Sequence, residues 1–270
     1  VGGKTKEKHW IINHDPDMYH IPFPNETATA ETFHSDLENL KNQGVDLSTI
    51  TAFMIESYHG WGALFYSKEY IQAIKKWANE NQVIIIFDEI QSGFGRTGKL
   101  FAYEHYDVEA DLVCCGKGIS SGLPLSAVLG RKELIDVDPS LNSTHGGNPI
   151  CCAATLASLE VLQDENLISE SARKGLLLEK ELIKIKNKYE DRIEIFGKGL
   201  VYAIHVKKSG TKEYDVEIVD RIIEKSMQKG VLLIRTGTGT IKIGPPLTIF
   251  DDALLEGVSV IDESISECFS

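Results

Sequence analysis

The chain has 270 residues, of which 42% are hydrophobic and 25% charged, enough apolar material for one large domain or two ordinary ones. A formal net charge of −12 excludes a protein built as a whole to bind nucleic acid or an anionic membrane surface. No apolar run approaches the ~20 residues of a membrane span. Val1-Gly2-Gly3-Lys4 opens no signal peptide, and a start at valine points to a processed product or a piece of something longer. The five cysteines (Cys114-Cys115, Cys151-Cys152 and Cys268) make a poor disulfide framework and read as reduced thiols of a cytoplasmic protein. Neither pair has zinc-site spacing, so no metal is expected.

In chain order, residues 1–28 are polar and broken by Pro16, Pro22 and Pro24, which reads as loop. Phe33, Leu37 and Leu40 recur at helical spacing within 29–43, and Gly44 follows as a C-terminal stop. Ile50 to Ile55 reads as a buried strand ending at Glu56. Ser67 caps a helix with Ile71, Ile74, Trp77 and Ala78 inward. Val83-Ile84-Ile85-Ile86-Phe87 is a continuous apolar run, the pattern of a strand buried on both faces, and it runs straight into Asp88-Glu89. Leu112 to Cys114 and Ala127 to Leu129 are two further short strands. Strand–helix–strand order at this pitch predicts an α/β fold with a mostly parallel, doubly wound sheet, whose strand carboxyl ends are where ligands bind.

The character changes after Asn148-Pro149. Small residues from Cys151 to Ser158 lead into one long helical stretch to about Lys188. Strands are expected at Ile193–Ile195 and Leu200–Val206. A helix is expected over 214–229, with Val216, Val219, Ile223 and Met227 inward and Gly230 as its stop. Edge strands at Val231–Ile234 and Ile241–Ile243 and a terminal helix from Asp251 complete a smaller α+β unit. The expected division is 1–150 and 151–270.

Aliphatics followed by Asp-Glu also occur in ATPases, where the pair serves magnesium and catalysis. That reading needs a Gly-Lys-Ser/Thr phosphate loop. Gly98-Lys99 is followed by Leu100, and Gly3-Lys4-Thr5 lacks the earlier glycine, so the motif is missing. A better constellation is Asp88 with Lys117, 29 residues downstream, in Gly116-Lys117-Gly118 just after a strand. The plain reading of Lys117 is a solvated loop lysine. Against it, the flanking glycines let a ligand approach and the lysine emerges at the same sheet edge as Asp88. An aspartate that holds a pyridine nitrogen protonated, beside an amine that attacks carbonyls, is the arrangement used with pyridoxal 5'-phosphate.

Three ordered motifs then carry a resemblance. Phe87-Asp88-Glu89-Ile90-Gln91-Ser92-Gly93-Phe94-Gly95-Arg96-Thr97-Gly98, Gly116-Lys117-Gly118, and Ser143-Thr144-His145-Gly146-Gly147-Asn148-Pro149 closely resemble the class III aminotransferases, from about residue 45 to the C-terminus. The resemblance implies fold type I, pyridoxal 5'-phosphate as cofactor, and transamination between an amine or amino acid donor and a keto acid or aldehyde acceptor. It implies that Asp88 meets the pyridine nitrogen, Gln91 lies beside the phenolic oxygen, and Lys117 forms the Schiff base and moves the proton. Thr144 would reach the phosphate of a neighbouring subunit, so a homodimer with shared sites is expected. Glu89 reads equally as a functional acid or as a support carboxylate.

Departures from the family pattern bear on substrate. Glu56-Ser57-Tyr58-His59-Gly60-Trp61-Gly62-Ala63 falls where relatives have Glu-Pro-x-Gln-Gly-Glu-Gly-Gly, so Trp61 stands in place of a gating glutamate. Lys242 in Lys242-Ile243-Gly244-Pro245-Pro246-Leu247 stands where the family has arginine, and a lysine cannot grip a carboxylate bidentately. Phe196 likewise precedes Gly197-Lys198-Gly199 where arginine is common. Glu56, Tyr58, Trp61 and Lys242 are therefore the candidate substrate residues. The resemblance also implies roughly 150 further N-terminal residues, with a phosphate-binding turn and a ring-stacking aromatic not found here. Truncation of an aminotransferase is the expectation, with a non-catalytic chain of this fold, or an aminomutase or racemase, as alternatives.

Overall fold

The computed structural model describes residues 10–11, 17–24, 26–138, 140, 143–237 and 239–269. Pro16 and the Gly3-Lys4-Thr5 segment lie outside the described residues.

Helix α1 (Ala30–Asn42) buries Phe33, Leu37 and Leu40, and Gly44 at φ +90° ends it in the left-handed conformation that glycine adopts without penalty. Strand β1 (Ala52–Glu56) leads to a short hairpin, β2 (Tyr58–His59) and β3 (Leu64–Phe65). Helix α2 (Lys68–Glu80) starts at Ser67, whose hydroxyl accepts from the Tyr70 amide at 3.1 Å, and buries Tyr70, Ile71, Ile74 and Ala78. Strand β4 (Ile84–Asp88) follows, then β5 (Leu112–Cys115), β6 (Ala127–Gly130) and the one-turn α3 (Lys132–Ile135). The sheet order is β1-β4-β5-β6. The first two pairings are parallel and the last antiparallel, as a mostly parallel α/β sheet.

The expected double burial of the 83–87 run is corrected. In β4 only Ile85 and Phe87 are fully buried, against α1, α2 and Ile55. Ile84, Ile86 and Asp88 point to the opposite face and are half-buried. β1 is also not the buried strand that its composition suggests: it lies at the sheet edge and Met54 is 64% exposed.

The second half is helical at first. The expected single helix to Lys188 is two, α4 (Pro149–Asp164) and α5 (Leu167–Lys188). Asn166, at φ +51°, interrupts them in a conformation asparagine tolerates better than most residues. Strands β7 (Ile193–Lys198) and β8 (Val201–Val206), helix α6 (Val216–Gln228), strands β9 (Ile234–Thr236) and β10 (Thr240–Ile243), and helix α7 (Asp251–Phe269) complete the chain. Their sheet is antiparallel in the order β7-β8-β10-β9. Two expectations fail here. The segment from Val231 pairs only from Ile234, and β10 is an interior strand with β8 and β9 on its sides. In α6 the buried residues are Val219, Ile222 and Ser226, while Met227 is exposed, because the inward stripe is rotated by one residue from the expected one.

Among the described strands, β8 is the one buried at every residue. Val201 and Ala203 belong to the core built on β4 and α2; Tyr202, Ile204 and Val206 belong to the core shared with α5, α6 and α7. One strand thus joins the two cores through its two faces.

Candidate functional site

The parallel register of the first sheet brings Glu56, Asp88 and Cys114 side by side at the carboxyl ends of β1, β4 and β5, all on the face opposite the α2 packing. Asp88 Oδ1 accepts from the Ile90 amide at 2.9 Å, which turns the chain out of the strand. Glu56 Oε2 accepts from the Gly60 amide at 3.1 Å.

Glu89 points the other way and is buried. Ser57 Oγ and the Tyr103 amide donate to one of its oxygens at 2.5 and 2.8 Å, and Ser92 Oγ and the Ala102 amide to the other at 2.6 and 2.9 Å. Burial raises its pKa and these four donors oppose the rise. Its geometry is that of a support carboxylate, which resolves the open reading of this acid.

Past β5 the chain turns at Gly116 into one 3₁₀ turn, Lys117–Ser120. Ile119 and Ser120 are buried and hold the turn down, leaving Lys117 and Gly118 exposed. Lys117 has φ +43°, a left-handed conformation costing a side-chain-bearing residue about 1–2 kcal/mol.

Tyr58, Gln91, Lys117 and Lys242 line one cavity of about 820 Å³, whose wall also includes Arg96 and Ser158. The Tyr58 ring stacks on Phe65 with centroids 5.1 Å apart, and its hydroxyl donates to Gln91 Oε1 at 3.0 Å. Burial pushes the Tyr58 pKa well above the ordinary tyrosine value, so the hydroxyl stays protonated. Lys242 Nζ donates to the Gly60 carbonyl at 2.5 Å and to Gln91 Oε1. Burial, then Lys117 and Arg96, bring Lys242 down to about 8, against the opposing pull of Glu56.

Arg96 had no role in the sequence reading beyond its place in the motif. Its Nη1 donates to the Leu200 and Pro245 carbonyls at 2.9 and 2.6 Å, and the Leu200 amide returns a bond to the Arg96 carbonyl at 2.9 Å. It fastens the glycine-rich loop to the second half of the chain. A half-buried guanidinium whose donors meet carbonyls 104 and 149 residues away leaves no local signal in a sequence. Gly199 makes the approach close: an added Cβ would lie 2.3 Å from the Thr97 carbonyl carbon.

Asp88, Glu56, Trp61 and Thr144 are not among the described residues lining the cavity. Asp88 and Glu56 stand side by side at the carboxyl ends of β4 and β1. Trp61 is 42% exposed and meets the second sheet through its backbone, its carbonyl accepting from Thr236 Oγ1 at 2.5 Å. The neighbouring Gly62 carbonyl accepts from His205 Nε2 at 2.9 Å. Three consecutive carbonyls, of Gly60, Trp61 and Gly62, are thus held by Lys242 of β10, Thr236 of β9 and His205 of β8. Thr144 is exposed in the loop before α4.

The family model described as Aminotransferase class-III matches residues 1–265. A 4-aminobutyrate aminotransferase of Mycobacterium leprae is 34% identical over 235 residues, covering 85% of this chain and 52% of that protein. A leucine/methionine racemase of Thermococcus litoralis is 31% identical over 270 residues, covering 98% and 60%. Among solved structures, a transaminase from the marine bacterium Virgibacillus superposes with a TM-score of 0.87 at 25% identity, covering 97% of this chain and 62% of that one. The acetylornithine aminotransferase of Elizabethkingia anophelis gives 0.78 at 31% identity, covering 95% and 63%. The chain therefore spans about half to three-fifths of the length of these relatives. The match over nearly every residue, the shared α/β fold of fold type I and the three ordered motifs agree: the chain belongs to the class III aminotransferase family.

Proposed function

We propose that this chain is the part of a pyridoxal 5'-phosphate-dependent aminotransferase that carries the Schiff-base lysine, Lys117, and the pyridinium partner, Asp88. The observation that carries the reading is the meeting of two parallel strand ends. β4 delivers Asp88 and Gln91, and β5 delivers Lys117 beside the same cavity. The cavity wall supplies an amine, Lys117, and an amide, Gln91, and the adjoining end of β4 supplies a carboxylate, Asp88; these are groups a pyridoxal ring would use, and the cavity volume is ample for a ring of that size, so these residues fit the ring of the cofactor. When bound, the group supplies an electron sink for the bond broken at the substrate carbon. The chain's own contributions are to hold the ring nitrogen protonated at Asp88, to donate from Gln91 to an oxygen of the ring, and to accept and return a proton at Lys117 Nζ.

We further propose residues 1–150 as the cofactor-binding unit and 151–270 as the smaller one. Thr144, exposed and outside its own chain's cavity wall, would serve the site of a second subunit in a homodimer. Reduced thiols support a cytoplasmic setting. On the substrate side, Lys242 in place of arginine and Trp61 in place of glutamate favour an amine donor that does not depend on bidentate carboxylate recognition. A second reading, racemisation on the same cofactor, is supported by the racemase relative that covers 98% of the chain.

The full-length protein that contains this chain is mixed with pyridoxal 5'-phosphate and its absorbance recorded. A band near roughly 410–430 nm, a general property of lysine-bound pyridoxal phosphate, is expected and should disappear in Lys117→Ala. Absence of the band in the unsubstituted protein overturns the proposal. Turnover that requires no carbonyl acceptor would favour racemisation over transamination.

A further inference from the structure

Gln91 Oε1 receives two donors, Tyr58 Oη at 3.0 Å and Lys242 Nζ. A lysine ammonium has only hydrogens to offer, so the end of the carboxamide that faces it must be the oxygen. A third contact acts in the same direction. Gly60 packs on that oxygen so closely that an added Cβ would lie 3.0 Å from Oε1, and Lys242 also ties down the Gly60 carbonyl. The Gln91 amide is therefore held by its oxygen from two elements of the first half and one strand of the second. Nε2 is left on a side chain that lines the cavity, and no described residue accepts from it.

We propose that Tyr58 and Lys242 are positioning residues that fix the Gln91 carboxamide with its oxygen inward, making Nε2 a preset hydrogen-bond donor to an anionic oxygen of the bound cofactor ring. The second half of this statement rests on the function proposed above; the first does not. The Lys242 contact comes from a position where this sequence departs from its family pattern, so that half of the device belongs to this chain in particular.

The arrangement has a built-in sensitivity to pH. Lys242 lies in a field set by Lys117 and Arg96, by Glu56, and by the Tyr58 ring, whose centroid is 5.8 Å from Nζ. Above its pKa of about 8 the neutral amine can accept as well as donate, so the Gln91 amide is free to turn over.

The first test needs no cofactor. In the 15N-labelled protein, the Gln91 side-chain amide resonances are identified by their loss in Gln91→Glu and followed with pH. They are expected to shift with a midpoint near 8, and to stay at their low-pH position in Lys242→Arg, which keeps a donor-only cation at every pH. Tyr58→Phe should move them at all pH values. Resonances that titrate alike in the parent and in Lys242→Arg overturn the positioning role. The second test follows the pH midpoint of the bound cofactor's absorbance change in Lys242→Met, Gln91→Ala and the double variant. Loss of a fixed donor should raise the midpoint by about one pH unit, and Lys242→Met should add nothing in the Gln91→Ala background. Additive shifts would mean that Lys242 acts on the ring directly, which overturns the link through Gln91. If the unsubstituted protein shows no cofactor band, the proposed function fails while the resonance experiment still decides the orientation of the amide.

Discussion

The imidazole of His205 donates from Nε2 to the Gly62 carbonyl oxygen at 2.9 Å, joining β8 to the turn of the β2–β3 hairpin. A carbonyl can only accept, so Nε2 carries the proton, and Nδ1 is the acceptor for the Tyr214 hydroxyl at 3.3 Å. Burial holds the ring's pKa below the ordinary 6.5, so it is neutral at physiological pH.

That relationship fixes a sign. With its folded-state pKa depressed, His205 binds fewer protons in the native than in the unfolded chain. Its contribution to stability is full above pH 6.5 and is lost as pH falls towards the folded-state value. His105, lowered chiefly by burial, acts in the same direction. Urea unfolding is expected to show stability falling from roughly pH 7 to 5.5, by up to about 1.4 kcal/mol per pH unit for each histidine. His205→Gln should flatten the fall. A parent and variant with the same slope would contradict the assignment.

Glu89 gives a graded prediction. In Glu89→Gln, one oxygen becomes an NH₂ group; a serine hydroxyl can turn to accept from it, but the backbone amide of Ala102 or Tyr103 cannot. One buried N–H is left unmet, at a cost of about 1–3 kcal/mol. Glu89→Ala strands both amides and both hydroxyls and should cost about 2–5 kcal/mol. Urea midpoints at constant slope measure both, and a Glu89→Ala protein as stable as the parent would remove Glu89 from its supporting role.

Gly199 has φ +57°, and an added Cβ would lie 2.3 Å from the Thr97 carbonyl carbon and 2.6 Å from the Gly98 nitrogen. Backbone cannot yield as a flexible side chain does. Gly199→Ala should destabilise by at least about 2 kcal/mol in denaturant unfolding, and more than Gly210→Ala, where φ is also positive but no atom lies within 4 Å.

Lys117 predicts a separation of stability from function. Its left-handed backbone disfavours any residue with a Cβ, so Lys117→Gly should be about 1 kcal/mol more stable than Lys117→Ala by thermal or urea unfolding. Both variants should lack the cofactor absorbance band. Equal stability of the two would show that the turn relaxes once the side chain is removed.

The sequence made the elements legible where a periodic stripe met a punctuating residue. Phe33, Leu37 and Leu40 before Gly44, and Ser67 ahead of Ile71 and Ile74, are such cases, because local sterics and capping decide them. It misled where burial depends on partners distant in the chain. The unbroken aliphatics of β4 suggested two covered faces, yet the strand alternates; the doubly buried strand is β8, whose Tyr202 and His205 made it look less apolar than it is. The break between α4 and α5 is absent from the sequence reading, which runs one helix through it; it falls at Asn166, a residue type that enters the left-handed region easily.

For the proposed site, Asp88, Gln91 and Lys117 stand out in the sequence because each lies in a short strand–turn segment whose pattern is local. The partners of Lys242 were not, since Gly60 and Gln91 lie 182 and 151 residues away. Trp61 was chosen for its side chain, but its bond to the second sheet is made by its backbone carbonyl, which no residue type announces.

The clasp on Gly60, Trp61 and Gly62 has a mechanical consequence. His205, Lys242 and Thr236 come from β8, β10 and β9, three adjacent strands of one sheet, and each grips one of three successive peptide oxygens. A slip of any of these strands by a single residue would turn its gripping side chain to the other face and break its bond. The hairpin turn is therefore registered to the sheet as a key is to its wards. A molecule resting against Gln91 is in contact, through Gly60 and Lys242, with the alignment of strands whose own core lies on the far side of β8.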